Sequence, residues 1–260
     1  MATTLYHGEP NGPSLTVLAA LAETGVAAEL KPIDLARGER HSAGVPKNVE
    51  VEMSIEGEGP VLVVDGEAMA DSVFIACYLD DVSEGARIRP ADPLLRWEMM
   101  AWCRFVIERI APAAAFLGTR AHLADQLAAM PEPEFAALDG AIACDDLRWR
   151  WEAVRTGAFP EARIAESTAK IVEGVKRIEA KLADGRDWLI GTFSIADLET
   201  FAWLTGMVEL VPQAFADAPA ASAWMARVAA RPSVVAALGR AASDDPRKIW
   251  APGPEINRWG

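Results

Sequence analysis

The sequence predicts an α/β domain followed by an all-helical domain, and three observations carry that expectation. Short apolar and β-branched runs concentrate in the first third of the 260 residues, in an order that reads strand, helix, strand, then strand, strand, helix. All nine tryptophans, from Trp97 to Trp259, come later. Between the two compositions runs Ser83-Glu84-Gly85-Ala86-Arg87-Ile88-Arg89-Pro90-Ala91-Asp92-Pro93, a Gly- and Pro-containing break of the kind that separates domains. The chain is also longer than the usual single core of about 100 to 150 residues. The expected divisions are residues 1–83, residues 92–243 and a C-terminal tail, 244–260.

The elements follow in order. Thr3-Thr4-Leu5-Tyr6-His7 is rich in β-formers, and Gly8-Glu9-Pro10-Asn11-Gly12-Pro13 breaks it. Ser14 is placed to cap a helix whose apolar face runs Leu15, Leu18, Ala22 until Gly25. Ala28 to Leu35 alternates and predicts a second strand, completing a βαβ unit. After a polar stretch, Gly59-Pro60 precedes the strand Val61-Leu62-Val63-Val64, and Asp65-Gly66 turns it into Glu67-Ala68-Met69-Ala70. Asp71-Ser72 then caps a helical run, Val73 to Leu79.

Composition excludes several functions. A net charge of −13 opposes nucleic-acid binding, which needs clustered Lys and Arg. No run of about 18 apolar residues could span a bilayer, and the N-terminal residues carry no basic leader or long apolar stretch, so a soluble, cytoplasmic protein is expected. Cys77, Cys103 and Cys144 lack CxxC spacing and fall in segments that read as helical, which suggests buried, reduced thiols rather than a redox or ligand role. No metal-ligand spacing is present.

The strand–helix order, an X-Pro before the third strand and an acidic-Ser pair opening the last helix resemble the glutathione-binding, thioredoxin-like domain of glutathione transferases. The second half agrees. Arg231-Pro232-Ser233-Val234 resembles a late-helix motif of that family, and Phe193-Ser194-Ile195-Ala196-Asp197-Leu198 resembles its buried capping box, in which Ser194 and Asp197 cap reciprocally. Within the superfamily the chain is most similar to the bacterial β-etherases, which use glutathione to cleave β-aryl ethers of lignin. The likeness rests on Leu5-Tyr6 with Ser14-Leu15, on His41-Ser42, and on Arg89-Pro90-Ala91-Asp92-Pro93; the end, Trp250-Ala251-Pro252-Gly253-Pro254-Glu255 to Trp259-Gly260, resembles tails of related transferases.

The resemblance implies a site. Ser14 would hold the glutathione sulfur as thiolate, with its hydroxyl and a helix N-terminus; capping alone also explains a serine there. A cis Gly59-Pro60 bond would expose the Gly59 backbone to the cysteinyl part. Asp71 and Ser72 would hold the γ-glutamyl end, although capping selects the same residue types. His41 would meet the glycyl end or face solvent. Trp102, Phe105 and Trp149 could line an aromatic substrate's cleft, along with Trp97, Met100, Phe116 and Trp151, or pack in the core. The implied partners are glutathione, a small aromatic electrophile and a second, identical or related, subunit. One stretch departs from the family pattern: Met53-Ser54-Ile55-Glu56-Gly57-Glu58 puts carboxylates where polar or basic groups usually stand. Like charges about 6 Å apart repel by roughly 0.7 kcal/mol in water and about 3 kcal/mol at an effective dielectric of 20. A weakly binding or inactive partner subunit is therefore the alternative expectation.

Overall fold

The structure, a computed structural model, describes residues 2–254. The N-terminal third has the expected βαβ–ββα order, with one added short helix: β1 (Thr3–His7), α1 (Gly12–Thr24), β2 (Glu29–Pro32), a short α2 (Val49–Glu52), β3 (Val61–Val64), β4 (Glu67–Met69) and α3 (Ser72–Val82). The sheet runs β2-β1-β3-β4, with β1 parallel to β2 (Leu5 opposite Leu30) and antiparallel to β3 (Tyr6 opposite Val61). Asp65 and Gly66 both take positive φ in the β3–β4 turn, the geometry that Asp-Gly favours in two-residue hairpins. β2 is shorter than the expected 28–35. Pro32 has no N–H to continue the ladder, and Asp34 turns the chain by accepting from the Arg37 amide at 3.2 Å.

Three helix starts differ from expectation. Asn11, extended at φ −143°, precedes α1, and Gly12 follows with φ +49° ahead of Pro13. Ser14 is thus the third helical residue and not the cap. Asp71 precedes α3 at φ +67° without a side-chain cap bond; its Oδ1 accepts from Ser54 Oγ at 2.6 Å instead. Cys144 precedes its helix in extended backbone. All three cysteines are free thiols, as expected, but only Cys103 is buried; Cys77 and Cys144 are partly exposed.

Asp80 organises the break after α3. Buried to 2% exposure, it accepts from the Ile88 amide (2.6 Å) and Arg89 Nε (2.8 Å). Asp92 then caps α4 (Pro93–Phe105) through the Leu94 and Leu95 amides, both at 2.9 Å. A π turn (Val106–Ile110) leads into α5 (Ala111–His122), α6 (Ala124–Ala128), α7 (Glu132–Ala141), α8 (Asp145–Arg155), the 22-residue α9 (Glu161–Leu182), α10 (Ile195–Leu204), α11 (Met207–Leu210), α12 (Pro219–Ala229) and α13 (Pro232–Leu238). Phe116 therefore lies on α5, one helix beyond α4. No helix among the described residues is long and apolar enough to cross a membrane.

Every residue of α10 is buried. Its capping box forms as expected from Ser194 and Asp197, and Asp197 also accepts from the Leu189 amide (3.0 Å) and Trp224 Nε1 (2.8 Å). One hydrophobic core runs from Leu5, Leu15 and Ile75 through α10 to Trp224, Val234 and Trp250, while Leu123, Phe135 and Trp151 form a second cluster under α7 and α8. Residues 249–253 are docked against the body rather than hanging free as a tail, and residues 255–260, with Trp259, lie outside the described residues.

Candidate functional site

Four segments meet beside the first turn of α1: the β1–α1 loop, the 53–60 segment, the start of α3 and residues 249–253. Ser14 is buried to 1%, and its Oγ accepts from the Gly8 amide at 3.0 Å. Its own hydroxyl proton is donated to no described protein atom. Next to it, Gly8, Gly12, Pro13, Leu35, Trp203 and Trp250 wall part of a cavity of about 490 Å³, large enough for a small organic molecule. A Cβ on Gly12 would stand 3.4 Å from the Trp203 ring, so a larger residue there would crowd the indole.

The start of α3 carries the other end of the site, and a side chain of the chain itself sits on it. Glu56, 1% exposed, accepts from the Ser72 amide at 2.8 Å, and its other oxygen contacts Ser72 Oγ. Ser72 Oγ is also 2.8 Å from Glu199 Oε2. A hydroxyl has one proton to donate, so two carboxyl oxygens around it require a proton on one of them. Glu199 already accepts from Thr16 Oγ1 (2.9 Å) and Trp203 Nε1 (2.8 Å), which favours its anion; Glu56 is the better proton holder. Burial, then the charges of Glu199 and Asp71, push Glu56 well above the usual carboxylate range. Burial also raises Glu199.

Glu58 has the opposite character. Burial alone would raise it, but hydrogen bonds and charge from His41, the charge of Arg40 and the Trp151 N–H together hold it below the usual range. His41 Nε2 donates to Oε1 at 2.6 Å and Trp151 Nε1 to the same oxygen at 2.9 Å. The Glu58 amide donates to the Pro252 carbonyl at 2.9 Å. The last described residues thereby close one side of the site: a Cβ on Gly57 (φ +72°) would meet Pro252 O at 2.6 Å, Arg150 donates to Gly253 O, and Trp250 fills a notch that a Cβ on Gly118 (2.2 Å) or Gly206 (2.8 Å) would obstruct.

The sequence-derived residues divide accordingly. Ser14, Gly59, Pro60, Asp71 and Ser72 do converge: Glu56 Oε2, which holds Ser72, is 3.3 Å from the Cβ position of Gly59, and Pro13 is 3.7 Å from it. Gly59-Pro60 is trans, not cis, so the backbone exposure inferred from a cis bond does not apply. His41 neither faces solvent nor stands open to a ligand; it is 8% exposed and bonded to Glu58. Trp102, Phe105 and Trp149 do not line the cavity. Trp102 donates to Thr200 Oγ1 at 2.9 Å and stacks at a tilt on Phe105 with 5.4 Å between centroids, because that face of α4 packs on α10. Trp149 is 62% exposed on α8. Phe116 does reach a cavity, of about 350 Å³, with Phe159, Arg150 and Pro252. Thr16, Glu199, Trp203 and Trp250 were not anticipated; the run Trp250-Ala251-Pro252-Gly253, an aromatic followed by Pro-Gly, was the available signal that this stretch docks.

The buried carboxyls set the direction of the pH response. Burial pushes Asp197 up to about 6, and Glu56 and Glu199 are also raised. The folded chain keeps protons that the unfolded chain has already released above about pH 4, so stability falls as pH rises through roughly 4 to 6 and beyond. Asp197 alone contributes on the order of 1 kcal/mol between pH 5 and 7.5, or a few degrees in a chain of this size. Thermal melts should give a lower Tm at pH 7.5 than at pH 5; a higher one would mean these carboxyls are not held protonated.

Comparison with known proteins agrees with this architecture. The profile of the glutathione S-transferase N-terminal domain matches residues 1–81, and that of the C-terminal domain matches residues 135–232. Protein LigF of Sphingobium sp. (strain NBRC 103272 / SYK-6) is 30% identical over 245 residues, covering 90% of this chain and 92% of LigF. The crystal structure of the β-etherase LigF from Sphingobium sp. strain SYK-6 is similar with a TM-score of 0.82 at 28% identity, over 93% of this chain and 100% of that one. A glutathione transferase family member from Pseudomonas fluorescens pf-5, with two glutathione bound, gives 0.66 at 19% identity over 91% of this chain and 92% of that one. At that identity the likeness concerns the fold.

Proposed function

The chain belongs to the glutathione S-transferase family, and from that premise we propose that it joins the glutathione thiolate to an aromatic electrophile, cleaving β-aryl ethers of the lignin type. The observation that carries this reading is Ser14: a buried hydroxyl at the first turn of α1, its proton unused by the described protein atoms, beside an indole-walled cavity. The likeness to LigF supports the ether as substrate. In the proposed step the sulfur attacks the carbon bearing the ether oxygen, the C–S bond forms as the C–O bond breaks, and the aryloxide takes up a proton. A phenol leaving group with pKa of about 10 asks for orientation and a hydrogen-bond donor more than for a strong acid. Ser14 supplies the donor to sulfur, and Trp203 and Trp250 supply apolar surface for the ring.

Glutathione binding in this reading requires Glu56 to leave Ser72, because the γ-glutamyl carboxylate needs the same amide and hydroxyl. Calorimetry of the full chain with glutathione tests it. Wild-type affinity is expected in the low-millimolar range, and Glu56→Ala should tighten it roughly 10- to 100-fold, the equivalent of one charge-assisted hydrogen bond released to the ligand. No heat at several millimolar from either protein would sink the reading.

The Glu56–Ser72 contact together with the trans Gly59-Pro60 bond favours a second reading, a non-catalytic transferase-fold subunit that pairs with an active relative. Association with another copy or a related chain belongs to both readings, and the surface we assign to it is the apolar groove of Phe74 (59% exposed) and Trp97 (67%) on α3 and α4. Sedimentation equilibrium should show a dimer that Trp97→Glu converts to monomer; a monomeric wild type at micromolar concentration would discard this interface.

A further inference from the structure

The start of α3 is closed by an acid that carries its own proton. Ser72 is fully buried, at 0% exposure, and its amide and hydroxyl both meet Glu56. The backbone on the C-terminal side of Glu56 is pinned: the Gly57 amide donates to Ser54 O (3.3 Å) and the Glu58 amide to Pro252 O (2.9 Å). Freeing Ser72 is then a matter of turning one side chain, with the loop left in place.

The surroundings of Glu56 offer it no counter-charge. The charged and titratable groups around it are Glu199 from α10 and Asp71 ahead of α3, with Cys103, Arg104 and Glu108 along the groove that Glu56 and Asp71 also border. Asp71 is itself an acid and takes the Ser54 hydroxyl at 2.6 Å. Arg104 donates to Glu108 at 2.7 Å, and burial keeps Cys103 a neutral thiol by pushing its pKa well up. Ser72 Oγ has one proton for two acids, Glu56 and Glu199. A buried carboxyl placed among other acids, without a cation, holds this position as the neutral acid. The α-amino acid end of glutathione changes the balance. It brings a carboxylate for Ser72 and an ammonium, with three donors and a positive charge, for Asp71 and Glu199. Glu56, once turned out into water, has the pKa of an ordinary glutamate, about 4.3, and gives up its proton.

We propose that Glu56 is a proton-coupled gate on Ser72: it closes the position as the neutral acid, and the γ-glutamyl end of glutathione displaces it with loss of one proton to solvent. The gate rests on glutathione as the ligand, the reading given above. Above about pH 4.3 the displaced side chain is ionised while the closed one keeps its proton, so affinity rises with pH by about tenfold per unit. S-methylglutathione tests this without interference from the sulfur, since it has no thiol proton and no group of its own that titrates between pH 5 and 6. Calorimetry of the full chain should show it binding about tenfold tighter at pH 6 than at pH 5. Glu56→Gln, which keeps the shape of the neutral acid, should bind it equally at both pH values; if that variant fails to fold, Glu56→Ala should be equally flat. Wild-type affinity that does not change with pH, or a slope that the variants retain, overturns the gate and leaves the glutathione reading standing. Absence of binding to wild type and variants alike overturns both.

Discussion

Replacing Ser14 by alanine is expected to lower glutathione-dependent turnover about 10- to 1,000-fold, the loss that follows from removing a donor worth roughly 1.5 to 4 kcal/mol to a developing charge. A free thiol with pKa of about 8.5 is only a few per cent thiolate at neutral pH. The site must favour the anion, and it has two means: the Ser14 hydroxyl and the positive end of α1. The structural cost of the change is smaller. The Gly8 amide loses its acceptor, about 1 kcal/mol, so Tm should fall by no more than a few degrees. Turnover measured on a β-aryl ether together with a thermal melt separates the two effects. Undiminished turnover in a folded variant would remove Ser14 from the chemistry.

Asp197→Asn should cost about 1.5 to 3 kcal/mol and lower Tm by roughly 5 to 10 °C. The carboxylate accepts four hydrogen bonds from donors far apart in sequence: the Leu189 amide, Trp224 Nε1, and the amide and hydroxyl of Ser194. An asparagine can keep the Leu189 and Trp224 bonds with its carbonyl oxygen. Its NH₂ group then faces the Ser194 N–H, donor against donor, with no room for water around a residue at 0% exposure. The capping box at the start of α10 keeps its Ser194 half and loses the reciprocal half, leaving the Ser194 N–H without an acceptor. A melt within about 2 °C of wild type would show that the network relaxes around the change.

What the sequence revealed depended on how local each interaction is. The Asp65-Gly66 hairpin, the Gly25 stop of α1 and the Ser194–Asp197 box involve neighbours in the chain, so residue type and spacing were enough. Ser14 was misplaced by three positions within its turn, because Gly12 can take a positive φ and let the helix start before Pro13. Glu56 and Glu58 were noticed as foreign to the family pattern, but their burial is created by Ser72, His41, Trp151 and Pro252, 16 to 194 residues away. Trp102 and Phe105 remain open between a cleft and the core in the sequence, because periodicity places aromatics on a helix face without saying which neighbour that face meets. The run Trp250-Ala251-Pro252-Gly253 signals that the stretch docks but not where, because the glycines at 118 and 206 that admit the indole are distant in the chain.

Glu199 has a consequence beyond the site. It belongs to α10, yet it accepts hydrogen bonds from Thr16 on α1 and Ser72 at the head of α3 as well as from Trp203 on its own helix. Pulling the two halves apart would strand that buried acid, along with the hydroxyls it organises, while splitting a continuous apolar interior. Neither half is then expected to persist alone, and the protein should melt as one thermodynamic body.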